Sequence, residues 1–169
     1  MSEQQTPLIK RLTELAAAND LAAFAILRRS LSFEPGAWPA AFPYVEPTAH
    51  LGDGWRRKAA YLVAGLYALS RVTPGKGNFG EAVRAYSKTT DSKSVEQRFI
   101  AVLEADPDEL PHRLRQMITL IRSASVAPEW DGFYRDLLQW NHPNKYIQQR
   151  WARAFYAQEH SDADPSEKA

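Results

Sequence analysis

The chain has 169 residues, 44% of them apolar and 24% charged, with a net charge of +1, which is enough for one domain with a substantial core or for two small domains. Cysteine is absent, and this excludes disulfides, thiolate metal sites and a cysteine nucleophile. The first residues lack the apolar run of a signal peptide, and no stretch of about 18 apolar residues follows that could span a bilayer, so we expect a cytoplasmic protein without a membrane partner.

Two amphipathic helices are predicted at the start of the chain. The first begins at Pro7, because proline is favoured at the first helical position, and it buries a stripe of leucines. Asn19 or Asp20 caps the second helix, which ends in the pair Arg28 and Arg29. Positive charge at a helix C-terminus interacts favourably with the helix dipole, so this pair has a structural explanation as well as a functional one.

Residues 31–53, the proline-rich segment, interrupt the helical pattern with four prolines and two glycines. Connections longer than about 12–15 residues are uncommon unless they bind something or wrap the core. The aromatic residues Trp38, Phe42 and Tyr44 therefore predict that this segment is pinned to the protein rather than free.

A long helix is predicted next, over residues 55–72, with Asp53 as its cap. Its first turn carries Arg56, Arg57 and Lys58, which is the wrong sign of charge for a helix N-terminus. A local rule that is broken without local compensation indicates a functional site.

Gly75, Gly77 and Gly80 have the spacing of a dinucleotide-binding fingerprint. That fingerprint requires a preceding strand within a βαβ unit, whereas the pattern before these glycines is helical. We interpret them as a glycine turn, followed by a short helix over residues 80–88.

Two further helices are predicted before the last aromatic stretch. Ser94 and Gln97 match a capping box that opens a helix over residues 95–105. Asp106 is expected to cap the next helix, which runs to about Ser125.

Eight of the 19 aromatic residues lie in residues 130–156, which Pro143 divides into two helices. In the second of these, Ile147, Trp151 and Phe155 share one face, and we expect them to be core. The basic side of the same helix is predicted to face outward, so that charge reversal there leaves the fold intact. This basic side carries Lys145, Gln149, Arg150 and Arg153.

The chain is therefore predicted to be all-α, a two-part helical bundle of about seven to eight helices with almost no strand. The first part covers residues 1–90 and includes the proline-rich segment, and the second covers residues 91–160. Residues 161–169 are acidic and poor in apolar side chains, which predicts a disordered tail.

No catalytic or metal-binding pattern is found in the sequence. Asp131 and Asp136 lie five residues apart, so one helix would not direct both carboxylates to the same place. We expect no catalytic residue, no metal and no cofactor. The histidines, which are scattered without a ligand spacing, are His50, His112, His142 and His160.

Basic residues are concentrated in residues 54–153, which hold 16 basic and 10 acidic side chains. Arginine outnumbers lysine 14 to 7, and the planar guanidinium suits phosphate recognition. A shared basic surface that contacts phosphates would explain these positions, and dispersed solvated charge is the alternative. The predicted nucleic-acid-binding residues are Arg28, Arg29, Arg56, Arg57, Lys58, Arg98, Arg115, Arg122, Lys145, Arg150 and Arg153.

A set of short motifs follows the whole length of the chain. In order they are LRRS at 27–30, AAYLVAGLYAL at 59–69, GNFG at 77–80, SVEQRF at 94–99, ELPHRLRQMI at 109–118, DLLQW at 136–140 and RWARAFY at 150–156. Together with the proline-rich segment, this ordered set resembles the small subunit (CasB type) of the type I-E CRISPR surveillance complex, Cascade.

The resemblance implies an all-helical protein without catalytic activity. In that family two copies lie head to tail beside the backbone subunit that carries the guide RNA, and their basic surface helps to hold the target and displaced strands of the R-loop. The implied partners are the backbone and large subunits of Cascade, guide RNA, target DNA and a second copy of the chain.

Two alternatives from other functional classes stay open at this point. One is a helical protein-interaction adaptor without direct nucleic-acid contact, which would use the proline-rich segment and the aromatic faces for docking. The other is a helical enzyme, which would need a pocket with a shifted titrating group that the sequence does not indicate.

Overall fold

The computed structural model describes residues 4–48 and 51–157, and every regular element in those ranges is helical. This confirms the predicted all-α fold. The α-helices are α1 (Pro7–Ala17), α2 (Leu21–Arg29), α3 (Phe42–Val45), α4 (Trp55–Ser70), α5 (Phe79–Ser87), α6 (Ser94–Glu104), α7 (Leu110–Arg122), α8 (Trp130–Leu138) and α9 (Tyr146–Phe155). The short helix α3, inside the proline-rich segment, is the one that the sequence pattern did not predict.

Helix α4 lies at the centre of the described fold, in contact with α1, α2, α7 and α8. Most of its side chains beyond the first turn are buried, as is typical of a helix covered on all sides. Its neighbours approach closely, since a Cβ added at Gly65 would lie 2.5 Å from the side chain of Leu31. The cap predicted at Asp53 is wrong, because Gly54, which has no side chain to accept a hydrogen bond, occupies the N-cap position.

Phe133, Trp140 and Trp151 of the aromatic stretch pack together with Phe79 of α5. We call these four residues the Trp151 core. Trp151 is fully buried, and its ring centroid lies 4.8 Å from that of Phe79, 5.1 Å from Trp140 and 5.9 Å from Phe133. Helix α5 packs so closely against α9 that a Cβ added at Gly80 would lie 2.1 Å from the carbonyl oxygen of Trp151. The prediction that Ile147 and Trp151 are core is confirmed, and Phe155, on the same face of α9, is half-buried against that core.

The helix caps agree with the sequence only in part. The Asp20 carboxylate accepts a hydrogen bond from the backbone N–H three residues on, at 3.0 Å, as predicted. The capping box of Ser94 and Gln97 is wrong, because Ser94 is itself the first residue of α6. Asp106 accepts two backbone hydrogen bonds, but in a turn that precedes α7, and the helix begins four residues later, at Leu110.

The proline-rich segment wraps the core, as predicted. It contains a short 3-10 turn on each side of α3, at Pro39–Ala41 and at Glu46–Thr48. Phe42 and Tyr44 pack against buried core residues, and the Phe42 ring meets the edge of Tyr61 with centroids 5.9 Å apart. The described part of the segment is therefore fastened to α4 at Phe42.

The glycine turn between α4 and α5 has a packing explanation. The Gly75 N–H donates to the carbonyl oxygen of Ala127 at 3.1 Å, and a Cβ at Gly75 would lie only 2.4 Å from that oxygen. Only glycine permits this approach.

The boundary predicted after residue 90 stays a prediction. Helix α5, which precedes that boundary, packs against α9, which follows it, and one continuous apolar core includes residues from both sides. The predicted tail at 161–169 lies outside the described residues, as do His50 and His160.

Candidate nucleic-acid interface

The predicted nucleic-acid-binding residues lie on α2, α4, α6, α7 and α9 or directly beside them. Ten of the eleven are exposed, and Arg57 is half-buried. Exposure alone does not make a cation available to a phosphate, because an arginine can already be held by a carboxylate of its own protein. The predicted residues therefore fall into two groups, those that already pair with a carboxylate of the protein and those that do not.

Arg57 is engaged by the proline-rich segment. Its guanidinium forms a salt bridge with Glu46 at 2.6 Å and donates to the carbonyl oxygen of Gly36 at 2.9 Å. The guanidinium also lies over the rings of Phe42 and Tyr61, 5.2 Å and 4.8 Å from their centroids. These contacts fasten the segment to α4. The sequence showed positive charge in the first turn of this helix without a local partner, and Glu46 supplies that partner for Arg57.

Glu46 is the carboxylate at the centre of this anchor. It accepts a hydrogen bond from the Tyr61 hydroxyl at 2.7 Å, and this bond, together with Arg57, lowers the pKa of Glu46. Burial, and then the neighbouring carboxylate, raise the pKa of Tyr61. The hydroxyl therefore stays protonated and keeps donating to Glu46.

Arg150 is engaged at the edge of the Trp151 core. Its guanidinium lies 3.2 Å from the Asp136 carboxylate and 5.6 Å from the centroid of the Tyr146 ring. Asp136 is buried and also accepts a hydrogen bond from the indole N–H of Trp151 at 2.7 Å. Burial raises the pKa of Asp136, while the Trp151 hydrogen bond and the charge of Arg150 act in the opposite direction. Arg150 thus has a buried carboxylate as its partner, and this contact argues against the expectation that its charge can be reversed without affecting the fold.

The carboxylates of Asp131 and Asp136 were expected to point to different places. Instead, both residues line one polar cavity of about 250 Å³. Each carboxylate has its own arginine, and Asp131 pairs with Arg135 at 2.8 Å. Burial opposes ionisation of Asp131, but hydrogen bonds from Arg135 and Thr6 outweigh it and lower its pKa. Both aspartates in the cavity are thus paired with an arginine, and Lys76 and Glu129 also line it.

The outward flank of α7 carries two cations in register. Arg115 and Arg122 are seven residues apart, which places them two turns apart on one face, about 10 Å along the axis. His112 and Thr119 lie on the same exposed flank. Arg115 makes only a 3.3 Å contact with the backbone oxygen of Leu31.

The basic side of α9 is separated from its apolar side as predicted. Ile147 and Trp151 are buried, whereas Lys145 and Arg153 are exposed. Arg153 makes a 3.4 Å hydrogen bond to Gln149, and no carboxylate among the described residues pairs with its charge.

Nine of the predicted nucleic-acid-binding residues have no acidic partner within residues 4–48 and 51–157. One of the nine, Arg29, has an aromatic neighbour instead, because its guanidinium lies 5.7 Å from the centroid of the Trp38 ring. The other eight have no such contact in those ranges. The eight are Arg28, Arg56, Lys58, Arg98, Arg115, Arg122, Lys145 and Arg153. The sequence could not separate them from Arg57 and Arg150, because the partners of those two lie eleven and fourteen residues away in the chain.

Residues 4–48 and 51–157 contain no group of three or more histidine, aspartate or glutamate side chains that could hold a metal ion. None of their helices has the length and apolar character required to cross a membrane.

Comparison with known proteins identifies the family. A family model described as CRISPR-associated protein Cse2 matches residues 23–156. A curated relative, the CRISPR-associated protein Cse2 of Thermus thermophilus, is 46% identical over 140 residues, which are 80% of this chain and 79% of the relative.

Solved structures show the same likeness. The crystal structure of CasB from Thermus thermophilus matches with a TM-score of 0.76 and 39% identity, over 90% of this chain and 99% of that one. A chain in the structure of a CRISPR RNA-guided surveillance complex matches with a TM-score of 0.70 and 26% identity, over 88% of each chain. The resemblance carried by the sequence motifs is confirmed, and the chain belongs to the CRISPR-associated Cse2 family.

Proposed function

We propose that this chain, a Cse2-family subunit of a CRISPR surveillance complex, helps to hold the target and displaced DNA strands of an R-loop through its exposed basic surface. The observation that carries the proposal is the group of eight exposed cations that have neither an acidic partner in the described residues nor, unlike Arg29, a contact with an aromatic ring there. Such cations can bind phosphates without giving up an internal ion pair. Arg57 and Arg150, which have internal carboxylates, are assigned to the fold instead.

The proposed role requires neither base recognition nor catalysis. In an RNA-guided complex the target sequence is read by pairing with the guide, so contacts from the protein to the strands can be made to phosphates alone. The proposed partners are the backbone and large subunits of Cascade, its guide RNA and target DNA, and a second copy of this chain, in the cytoplasm.

The test compares two double variants in the reconstituted complex. Arg115→Gln with Arg122→Gln removes two proposed phosphate contacts, and Lys10→Gln with Arg11→Gln removes the same charge from exposed positions of α1 outside the proposed set. Log affinity for target DNA is measured against log salt concentration. Each lost contact should reduce the slope by about 0.7 on single strands or about 0.9 on duplex.

The control pair should leave the slope at the wild-type value. If the α7 variant assembles normally and also keeps the wild-type slope, the α7 flank does not contact nucleic acid and the proposal fails for it. Loss of affinity should be alike for unrelated target sequences, because phosphates carry no sequence information.

One observation favours the adaptor alternative for another face of the protein. Ile100 and Tyr156 are 38% and 51% exposed, and the Tyr156 hydroxyl donates to Glu96, one turn from Ile100 on α6, at 2.8 Å. Exposed apolar side chains grouped in this way are typical of protein contacts. Ile100→Glu should then impair assembly with the other subunits, whereas the salt slope of any complex that forms should be unchanged.

A further inference from the structure

The proline-rich segment presents an exposed aromatic stack. Phe33 is 42% exposed, and its ring is stacked on Trp38 with centroids 5.2 Å apart and planes inclined by 11°. The Arg29 guanidinium lies over the same indole, 5.7 Å from its centroid. We call Arg29, Trp38 and Phe33 the Phe33 stack. The exposed aromatic ring of this stack is that of Phe33.

The backbone on both sides of Phe33 is held in place. The Phe33 N–H donates to the carbonyl oxygen of Ser30 at 3.1 Å, and the Ala37 N–H donates to that of Glu34 at 2.9 Å. Gly36 is fastened through its carbonyl oxygen to Arg57. A preformed surface of this kind loses little conformational entropy when a ligand binds.

The surroundings of Phe33 suit a base better than a phosphate. Phe33 lines a cavity of about 220 Å³ between the segment and the start of α7, and Arg115 lines the same cavity. Glu34 and Asp108 also line it, and their carboxylates repel a phosphate inside. A neutral flat ring is not repelled by these carboxylates, and the Arg115 guanidinium on the cavity wall can pair with the phosphate beside it.

We propose that Phe33 is a stacking surface for an unpaired base of the displaced DNA strand. This inference rests on the proposed function. The displaced strand of an R-loop has lost its pairing partner, so its bases are free to stack. Stacking on an aromatic ring accepts any base, because every base has a π-face. The Phe33 stack therefore adds a contact that does not depend on charge to a surface that otherwise acts through charge.

Two variants of the reconstituted complex test the stacking contact. Phe33→Leu keeps an apolar side chain but removes the ring, and it should weaken R-loop binding by about 5- to 150-fold. Phe33→Tyr keeps the ring and should bind like wild type. The salt slope should be unchanged in both, because neither changes a charge. Wild-type affinity in Phe33→Leu, or a reduced slope, would overturn the inference.

Photocrosslinking identifies the strand. 5-Iodouracil is placed throughout the displaced strand in one preparation and throughout the target strand in another, and adducts on this chain are mapped by mass spectrometry. We expect adducts on Phe33 or Trp38 from the displaced strand only, and their loss in Phe33→Leu. Adducts there from the target strand, or adducts from the displaced strand only at other residues, would overturn the inference while leaving the proposed function standing.

Two other outcomes are distinguishable from these. A Phe33→Leu chain that is folded but does not assemble would assign Phe33 to a protein contact and overturn the stacking inference. If the Arg115→Gln, Arg122→Gln complex keeps the wild-type salt slope and no strand crosslinks to this chain, the proposed function fails and the stacking inference fails with it.

Discussion

The proline-rich segment and the edge of the Trp151 core each contact an arginine that pairs with a carboxylate and lies over an aromatic ring. Arg57 pairs with Glu46 over Phe42 and Tyr61, and Arg150 pairs with Asp136 over Tyr146. The chemistry is the same, but the carboxylates differ in burial. The Glu46 side chain is 41% exposed, and that of Asp136 is 10% exposed.

The difference in burial gives the two carboxylates opposite pKa shifts. The Tyr61 hydrogen bond and then Arg57 lower the pKa of Glu46, whereas burial raises that of Asp136. The segment is thus held by a carboxylate whose surroundings favour its ionised form, whereas burial disfavours ionisation of the carboxylate at the edge of the Trp151 core. The aromatic rings follow the same division, because those of the Trp151 core pack on one another and Phe33 of the segment remains exposed.

The largest expected effect comes from truncating the centre of the core. Trp151→Ala removes a fully buried ring that contacts three other aromatic rings, and it should lower the free energy of unfolding by roughly 3–5 kcal/mol. Trp38→Ala, which removes the same kind of side chain from a half-buried position in the Phe33 stack, is the matched control. Urea unfolding of both variants measures the difference. Equal losses would contradict the contrast between the two regions.

A smaller effect is expected where α5 meets α9. Gly80→Ala would place a methyl group 2.1 Å from the carbonyl oxygen of Trp151, and the two helices must move apart, at a cost of about 1–3 kcal/mol. Gly132→Ala is the control, because it lies in the first turn of α8 and its Cβ would meet only the end of the Glu129 side chain, at 3.2 Å. The control should be neutral or stabilising, since alanine is the better helix former. A neutral Gly80→Ala would show that this helix contact is looser than described.

The helices and their buried faces could be predicted because they depend on residues three or four apart. This local pattern placed the leucines of α1, the Asp20 cap and the apolar face of α9 correctly. It could not show that Glu46 lies against Arg57, or Asp136 against Arg150, because those contacts depend on how separate elements pack. The division of the basic residues into engaged and available cations therefore required the structure.

The same division predicts unequal effects from two arginines on one helix. Arg150→Glu would bring a second carboxylate to buried Asp136 and should lower the free energy of unfolding by about 1 kcal/mol, since the Arg150 side chain is itself 51% exposed. Arg153→Glu, three residues on, has no such neighbour in the part of the chain that the structure describes and should change the free energy of unfolding by no more than about 0.5 kcal/mol. Thermal unfolding of the two variants in parallel measures the difference. Identical curves would mean that the Arg150 pair contributes nothing to the fold.

The smallest effect expected is a dependence on pH whose sign differs between the two regions. Asp136 has a raised pKa, so the folded state binds its proton more tightly than the unfolded chain. Its contribution to stability therefore falls as the pH rises from the ordinary value of 3.8 through the raised value. Glu46 has a lowered pKa, so its contribution is fully present above the ordinary value of 4.5 and is lost as the pH falls through the lowered one.

Two variants separate these opposite contributions. Glu46→Gln should lose the most stability relative to wild type near pH 7 and progressively less on acidification. Asp136→Asn should compare more favourably with wild type near pH 7 than near pH 4, because the wild-type carboxylate is ionised in a buried site only at the higher pH. Urea unfolding across this range gives both differences. If they changed with pH in the same direction, burial would not be what distinguishes the two arginine–carboxylate pairs, and the contrast between the segment and the core would have to rest on packing alone.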